Sequence, residues 1–382
     1  MKKNHYAALA LTAGVAIQAH AQSSVTLYGI IDVALSYQTH TNPAGASTWA
    51  LQQGNEGFLS GSRFGLTGKE ELGNGWYTGF TLENGFLANS GKADQQGQLF
   101  GRQALVKLGQ QRFGELAFGR QYTTANTMLY YVDPLGVGAA PTNSWQVFLT
   151  GQRYNNAAVY TGSYGPLQAI VQYAAGGVAG DTRARSSIST GLKYAQHDFV
   201  AIADVQQTND SRSRYARLYL AGLRAPAGPV TLYANYMHSD REAGFDSSNG
   251  GTDTASITSM TSGSPTAAAA INRVFDSHRR DDFFTVGASW RVTPPWQLIL
   301  GGMYDHTTAQ SFSGSRTTAY GVADYSLSKR TDVYVAAAYD RVTGGWAGLF
   351  GNSTSNAAAA SGAALNGRNE QVSALMGLRH RF

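Results

Sequence analysis

The feature that most constrains this chain is an alternation of apolar and polar residues with period two, repeated in short segments from Val25 to the last residue, Phe382. Successive side chains of a strand point to opposite faces, so the pattern describes strands with one apolar and one polar side. Val25, Leu27, Ile31, Val33, Leu35 and Tyr37 fall on one face of the first segment, and Thr26, Asp32 and Ser36 on the other. Trp76, Phe80 and Leu82 oppose Tyr77, Thr81 and Glu83 in the same way, and Val333, Val335, Ala337 and Tyr339 oppose Asp332, Tyr334 and Asp340. About sixteen such segments follow one another, each of roughly the ten-residue length that a tilted membrane strand needs. No helical periodicity competes with them.

The links between segments alternate in length. Short turns rich in Gly, Pro, Asn or Asp fall at 70–75, 109–112, 162–166, 195–198, 224–229 and 292–295. The intervening links are longer, running from Gln38 to Ser60, Tyr122 to Gln152, Ser239 to Arg280 and Arg341 to Asn369. Short turns at one rim and long loops at the other describe a meander closed into a barrel. The Ala runs at 267–270 and 357–360 fall in such loops and read as short helices or linker. Large aromatics sit beside the short turns, among them Trp76, Tyr194, Phe199, Trp290, Trp296 and Tyr325, as an interfacial girdle requires. In a closed barrel the last strand pairs with the first, because an unpaired backbone edge in lipid costs several kcal/mol per group. That explains a chain whose final alternation, Val372, Ala374, Met376, Leu378 and His380, finishes on Phe382.

Composition is used here to exclude. There is no cysteine, so disulfides, a thiol nucleophile and a Cys zinc site are ruled out. Lys2 and Lys3, the apolar run 7–17 and Ala19-His20-Ala21 have the parts of a secretory leader, so residues 1–21 are expected to be a cleaved signal peptide and 22–382 the barrel domain. Removing the two lysines takes the formal charge from +5 to +3 (5 − 2), too weak to argue for a nucleic-acid partner. No apolar run approaches the length of a transmembrane helix. A soluble β-sandwich is the competing fold, and it has no need of a leader, two loop lengths and an aromatic terminus together.

SSVTLYGIID at 23–32, SRFGLTGKEELGNG at 62–75, FGELAFGRQ at 113–121, YSLSKRTDVY at 325–334 and GLRHRF at 377–382 occur in order along the chain. Together they resemble the trimeric general porins of beta-proteobacterial and neisserial type. The resemblance implies a sixteen-stranded antiparallel transmembrane β-barrel in the Gram-negative outer membrane. It also implies a homotrimer, a third loop folded into the pore, and delivery to the barrel assembly machinery through the C-terminal Phe382. The partners expected are small hydrophilic solutes, outer-membrane lipid and lipopolysaccharide; no cofactor is expected.

The same resemblance places arginines on the barrel wall opposite acids of the third loop. Arg63 in SRFG, Arg102 in LFGRQAL and Arg153 in QRYNN occupy the matching positions. Alternation supports Arg63, with Phe64 and Leu66 on the other face, whereas an inward Arg102 sends Gln103 and Lys107 outward unless a trimer contact or bulge intervenes. Arg153 is similarly ambiguous beside Asn155 and Asn156. The third loop holds Asp133 as its sole carboxylate, and Glu83 is expected to supply a second acid. Asp32 is either a third or an ordinary solvated residue near the rim. Three arginines against so few acids give an expected weak anion preference.

Other functions find little in the sequence. His40, His197, His238 and His306 stand singly, without metal-ligand spacing. GNGWYT at 73–78 has Thr78 where a nucleotide loop has its third glycine. DSHRRDD at 276–282 reads as a dense charge run in a long outer loop, either a solvated lipopolysaccharide-facing patch or an interloop salt-bridge patch. The alternative to a general pore is a channel for one solute class, a sugar or an organic anion, with Tyr130, Tyr131 and Trp145 as the start of an aromatic track.

Overall fold

The computed structural model describes residues 24–41, 44–53, 59–137, 151–245, 276–347 and 368–382. The expected leader, both Ala runs and Trp145 therefore lie outside the described residues. The first wall elements are β1 (Ser24–Gln38), β2 (Thr48–Gln53), β3 (Arg63–Gly73), β4 (Trp76–Gly85), β5 (Gln103–Gln110), β6 (Gly114–Tyr122), β7 (Arg153–Tyr164) and β8 (Leu167–Ala174). They are followed by β9 (Ser187–Gln196), β10 (Phe199–Asn209), β11 (Tyr215–Ala227), β12 (Val230–Arg241) and β13 (Arg279–Thr293). The wall ends with β14 (Trp296–Ala309), β15 (Phe312–Ser326), β16 (Thr331–Gly344) and β17 (Glu370–Arg381). Each strand pairs antiparallel with its neighbour, and β17 returns to β1 from Ile30↔Arg381 to Gln38↔Ser373.

Seventeen segments make a wall of sixteen positions, because β2 and β3 share one. Along the same edge of β1, β2 covers Val33–Gln38 and β3 covers Ser24–Ile30. The link expected from Gln38 to Ser60 therefore contains a strand. Its physical reason is the upper half of β1, whose backbone groups need partners at that edge. Asp32 bridges the break: Oδ2 accepts from the Ser60 amide at 2.8 Å and Oδ1 from the Tyr334 hydroxyl at 2.7 Å. Its own amide donates to Ser62 Oγ at 3.0 Å. Asp32 is buried, so of the two readings the solvated rim residue is the one the structure overturns.

Alternation sorts the two faces as the sequence implies. Val25, Leu27, Val106, Leu108, Leu300, Val335, Met376 and Leu378 are exposed on the outside, while Asp32, Glu83, Asp332 and Asp340 are buried towards the lumen. Trp76, Trp290 and Trp296 ring the short-turn end, with Trp296 and Tyr325 centroids 4.8 Å apart. One of the two-residue turns is Asn74-Gly75, at φ 51° and 77°, the left-handed pair that such a hairpin selects. At the seam, the Gly29 and Phe382 amides donate to each other's carbonyls at 3.0 and 3.1 Å. A Cβ at Gly29 would strike the Phe382 ring and come within 2.7 Å of the Arg63 carbonyl.

The third loop enters the barrel as a short helix, α1 (Thr124–Tyr130), capped by the Thr123 hydroxyl accepting from the Asn126 amide at 3.1 Å. Met128, Leu129 and Val132 are buried in one cluster with Val200 and Ile202 of β10 and Leu218 and Leu220 of β11. Burial of each contributes about 2 kcal/mol to holding the loop. Glycines clear the ground beneath it. A Cβ on Gly191 would meet Met128 at 2.7 Å, one on Gly222 would meet Val132 at 2.6 Å, and one on Gly287 would strike Pro134. The Asn235 side-chain amide adds a hydrogen bond to the Val132 carbonyl at 3.3 Å.

Two further expectations change. DSHRRDD is not all loop: Arg279–Asp282 begin β13, and Arg279 and Asp281 point inward as a buried pair 2.8 Å apart. Gln103 and Lys107 do not point outward; on β5 the exposed side chains are Val106 and Leu108, and Lys107 reaches Glu115 of β6 at 3.1 Å. Arg102 escapes the phase conflict because it precedes the strand, its amide donating to the Glu83 carbonyl at 3.2 Å.

Candidate functional site: the narrowed lumen

Folding the loop against β9–β11 leaves a cavity on the opposite side, between the loop and the wall of β3, β4 and β17. Arg63, Glu83, Arg102 and Tyr122 line the wall side; Tyr130, Tyr131, Leu135 and Val137 line the loop side; Arg379 and Arg381 line the end nearer the short turns. Glu83 is the hub. It takes Arg102 Nε at 2.7 Å, the Tyr28 hydroxyl at 3.0 Å and Arg63 Nε at 3.8 Å. Buried carboxylates persist in such surroundings because two cations and a hydroxyl replace their water.

Arg153, fully buried at the start of β7, joins the same group through Tyr122. The Tyr122 hydroxyl accepts from Arg102 at 2.7 Å and from Arg153 at 3.3 Å, and the Arg153 guanidinium stands 4.6 Å above the ring. Its phase is set by a bulge. The register shifts between Gly119 and Gln121, Asn156 takes φ 52°, and both Arg153 and Tyr154 turn inward. Arg63, Arg102, Arg153 and Glu83 are thus brought together on one side of the lumen. Asp133 is not among them: its carboxylate accepts from the Val137 amide at 2.9 Å and closes its own turn of loop. A carboxylate bond of this kind, to an amide four residues on, is local chemistry, invisible in a count of loop acids.

Sequence reasoning missed two groups. Arg379 pairs with Asp332 at 2.8 Å and Asp324 at 3.3 Å, and Arg381 pairs with Asp332 at 2.6 Å. The signal was present, since a lipid-facing phase through His380 and Phe382 puts both arginines on the lumen face. Higher up, Arg279–Asp281 and Arg316–Asp340 continue charge pairing across β13, β15 and β16, with Thr307 donating to Asp281 at 2.7 Å. Among the described residues no group of three or more His, Asp or Glu is placed to hold a metal ion.

Burial within these pairs is unequal. The side chains of Arg63 and Glu83 are 24% and 6% exposed, those of Arg379 and Asp332 12% and 3%, and those of Arg381 and Asp332 40% and 3%. In these three pairs the guanidinium is the more exposed partner, so a passing ion meets positive charge first at Arg63 and Arg381, whereas Arg102 and Glu83 are buried alike, at 7% and 6%.

A closed barrel with an apolar outside, an aromatic girdle and a charged, loop-narrowed lumen defines a transmembrane channel of the outer-membrane type. Residues 6–345 match the Gram-negative porin family, and the chain belongs to that family. It is 29% identical over 374 residues to an outer membrane porin protein of Bordetella pertussis, covering 89% of this chain and 94% of the relative. Outer membrane porin protein 32 of Delftia acidovorans is 36% identical over 183 residues, 46% of this chain and 50% of that protein. Among solved structures, the anion-selective porin from Comamonas acidovorans superposes with a TM-score of 0.70 at 21% identity, covering 94% of this chain and all of that one. The trimer form of OmpT from Vibrio cholerae gives 0.62 at 13% identity, covering 94% of this chain and 99% of that one. The protein is an outer-membrane channel of Gram-negative bacteria.

Proposed function

We propose that this channel passes small hydrophilic solutes and ions by passive diffusion, sieved by size at the third loop and by charge at Arg63, Arg102 and Arg153 against Glu83, with a weak anion preference. The observation that carries the preference is the order of exposure in the ion pairs: guanidinium towards the cavity, carboxylate behind it. The partly exposed guanidinium groups of Arg63 and Arg381 attract a counter-ion while the buried acids behind them keep the field modest, which makes the preference weak. In this reading Asp133 is left out of the charge filter, because it is buried, accepts from the Val137 amide and does not line the cavity. The named anion selectivity of the Comamonas protein agrees with this reading.

The same reading includes a homotrimer, for which the OmpT trimer form is the support, a leader cleaved after residue 21, outer-leaflet lipopolysaccharide around the barrel, and assembly through Phe382. No catalytic role is proposed for any residue. The test is a planar-bilayer recording of the leader-free protein under a KCl gradient. A reversal potential of anion-selective sign is expected, with current steps in threes and conductance linear in salt. A cation-selective sign would overturn the charge assignment, and saturation by a single sugar would favour a dedicated sugar channel. N-terminal sequencing of protein from the outer membrane checks the cleavage site.

A further inference from the structure

We infer that the constriction contains a binding subsite for amphipathic organic anions, meaning carboxylates that carry an aromatic or aliphatic body. The inference rests on the reading of the lumen as an open pore and names the solute class the pore retains longest.

The two sides of the cavity differ in kind. On the wall, Arg63 and Arg102 line the cavity with their shared acid partner Glu83, and the Arg63 guanidinium is the more exposed of its pair, at 24% against 6% for Glu83. On the loop, Tyr130, Leu135 and Val137 line the same cavity and bring no charge to it. Asp133, which could have supplied a carboxylate there, is buried and turned onto the Val137 amide. Tyr131 is held from the far side by Lys193, whose Nζ stands 3.8 Å from the ring centroid. Tyr130 packs edge-on against Tyr131 at 5.8 Å and keeps 61% of its surface exposed.

A filter built only to sort hydrated inorganic ions gains nothing from an apolar loop face, because such ions carry no surface to bury there. A carboxylate with an organic body gains on both sides at once: its head replaces water at the guanidinium fork, and its body covers the exposed ring of Tyr130 and the side chains of Leu135 and Val137. Neither half suffices alone. Few atoms are involved, so retention is weak, with half-occupancy at roughly millimolar concentration, as passage through a pore requires.

The experiment records KCl current through the folded protein in a planar bilayer while sodium benzoate, sodium acetate or benzyl alcohol is added to one side. Benzoate is expected to reduce the current along a saturating curve. Acetate, with the head and no body, and benzyl alcohol, with the body and no charge, should each act at least about tenfold more weakly. Tyr130→Ala should weaken the benzoate effect about fivefold relative to that variant's own KCl current, and Arg63→Gln should weaken it as well. Equal effects of benzoate and acetate, equal effects of benzoate and benzyl alcohol, or an unchanged benzoate curve in Tyr130→Ala would each overturn the subsite. Absence of KCl current before any organic compound is added would instead overturn the pore reading beneath it.

Discussion

On β10 and β11 the inward positions beneath the loop are mostly apolar, Val200, Ile202, Leu218 and Leu220 with the buried Asp204 among them, whereas on β3, β4 and β17 they are held by Arg63, Glu83, Arg379 and Arg381. Both stretches of wall follow the same alternation and expose the same kind of apolar outer face. They differ in what covers them. The first is carpeted by α1 and the residues after it, with Gly191 and Gly222 leaving room for the backbone, and its apolar side chains are buried in one cluster. The second faces the cavity, and its charges are paired among themselves. One barrel thus holds a core and a channel side by side, and the loop is the partition.

The sharpest way to break this arrangement is to put charge on the covered side. Val132→Asp places a carboxylate where the native side chain is fully buried, at a local cost of about 3 kcal/mol or more. The loop should leave its seat while the barrel stays closed: conductance rises, and the unheated protein still migrates as a folded barrel on gels. On the wet side, Glu83→Gln leaves Arg102 buried without its 2.7 Å carboxylate, costing about 3 kcal/mol in denaturant unfolding. It should also move the reversal potential further in the anion-selective direction, since one negative charge is lost from the filter.

Asp32→Asn has a smaller expected effect. Its amide oxygen keeps one of the two acceptor roles toward Ser60 and Tyr334, and the loss is about 1 to 2 kcal/mol. The consequence should be local, read as faster proteolysis between β2 and β3 with unchanged ion selectivity. Lys107→Gln is the control for the wet side. Its pair with Glu115 is 29% and 27% exposed, worth at most about 1 kcal/mol, and neither group lines the cavity, so the reversal potential should not move.

How much of this was legible in the chain depended on whether a residue's surroundings were water, lipid or protein. Alternation revealed β1, β4, β12, β16 and β17 because one of their faces meets lipid and the other meets polar groups. Arg63, Arg102 and Arg153 were singled out through motif resemblance and Glu83 through the polar phase of its strand. Arg279–Asp282 were misread because a strand end that faces a wet lumen has loop-like composition on that side. β2 was missed because its six residues carry no turn signal to separate them from a loop. The helix α1 was missed because seven residues are too few for a 3.6-residue period to emerge. Its seat did leave a trace: Leu218-Tyr219-Leu220-Ala221-Gly222-Leu223 is apolar in both phases, and a strand apolar on both faces needs a cover inside the barrel as well as lipid outside. The role of Asp133 could not be read, because it depends on where a loop amide four residues away comes to lie.

The pairing of Gly29 with Phe382 has a consequence for manufacture. The first strand waits for β17 before its edge from Gly29 to Gln38 is paired, so the sheet can be nucleated anywhere but is sealed only when that strand arrives. Until then it is a ribbon with two sticky margins, and the aromatic ring of Phe382, lying over a position kept bare by Gly29, acts as the clasp of a bracelet. A tag or extension fused to this end is expected to trade a fast-closing seam for one that gapes, and its cost would be counted in aggregated protein, with the conductance of whatever barrels do close left as before.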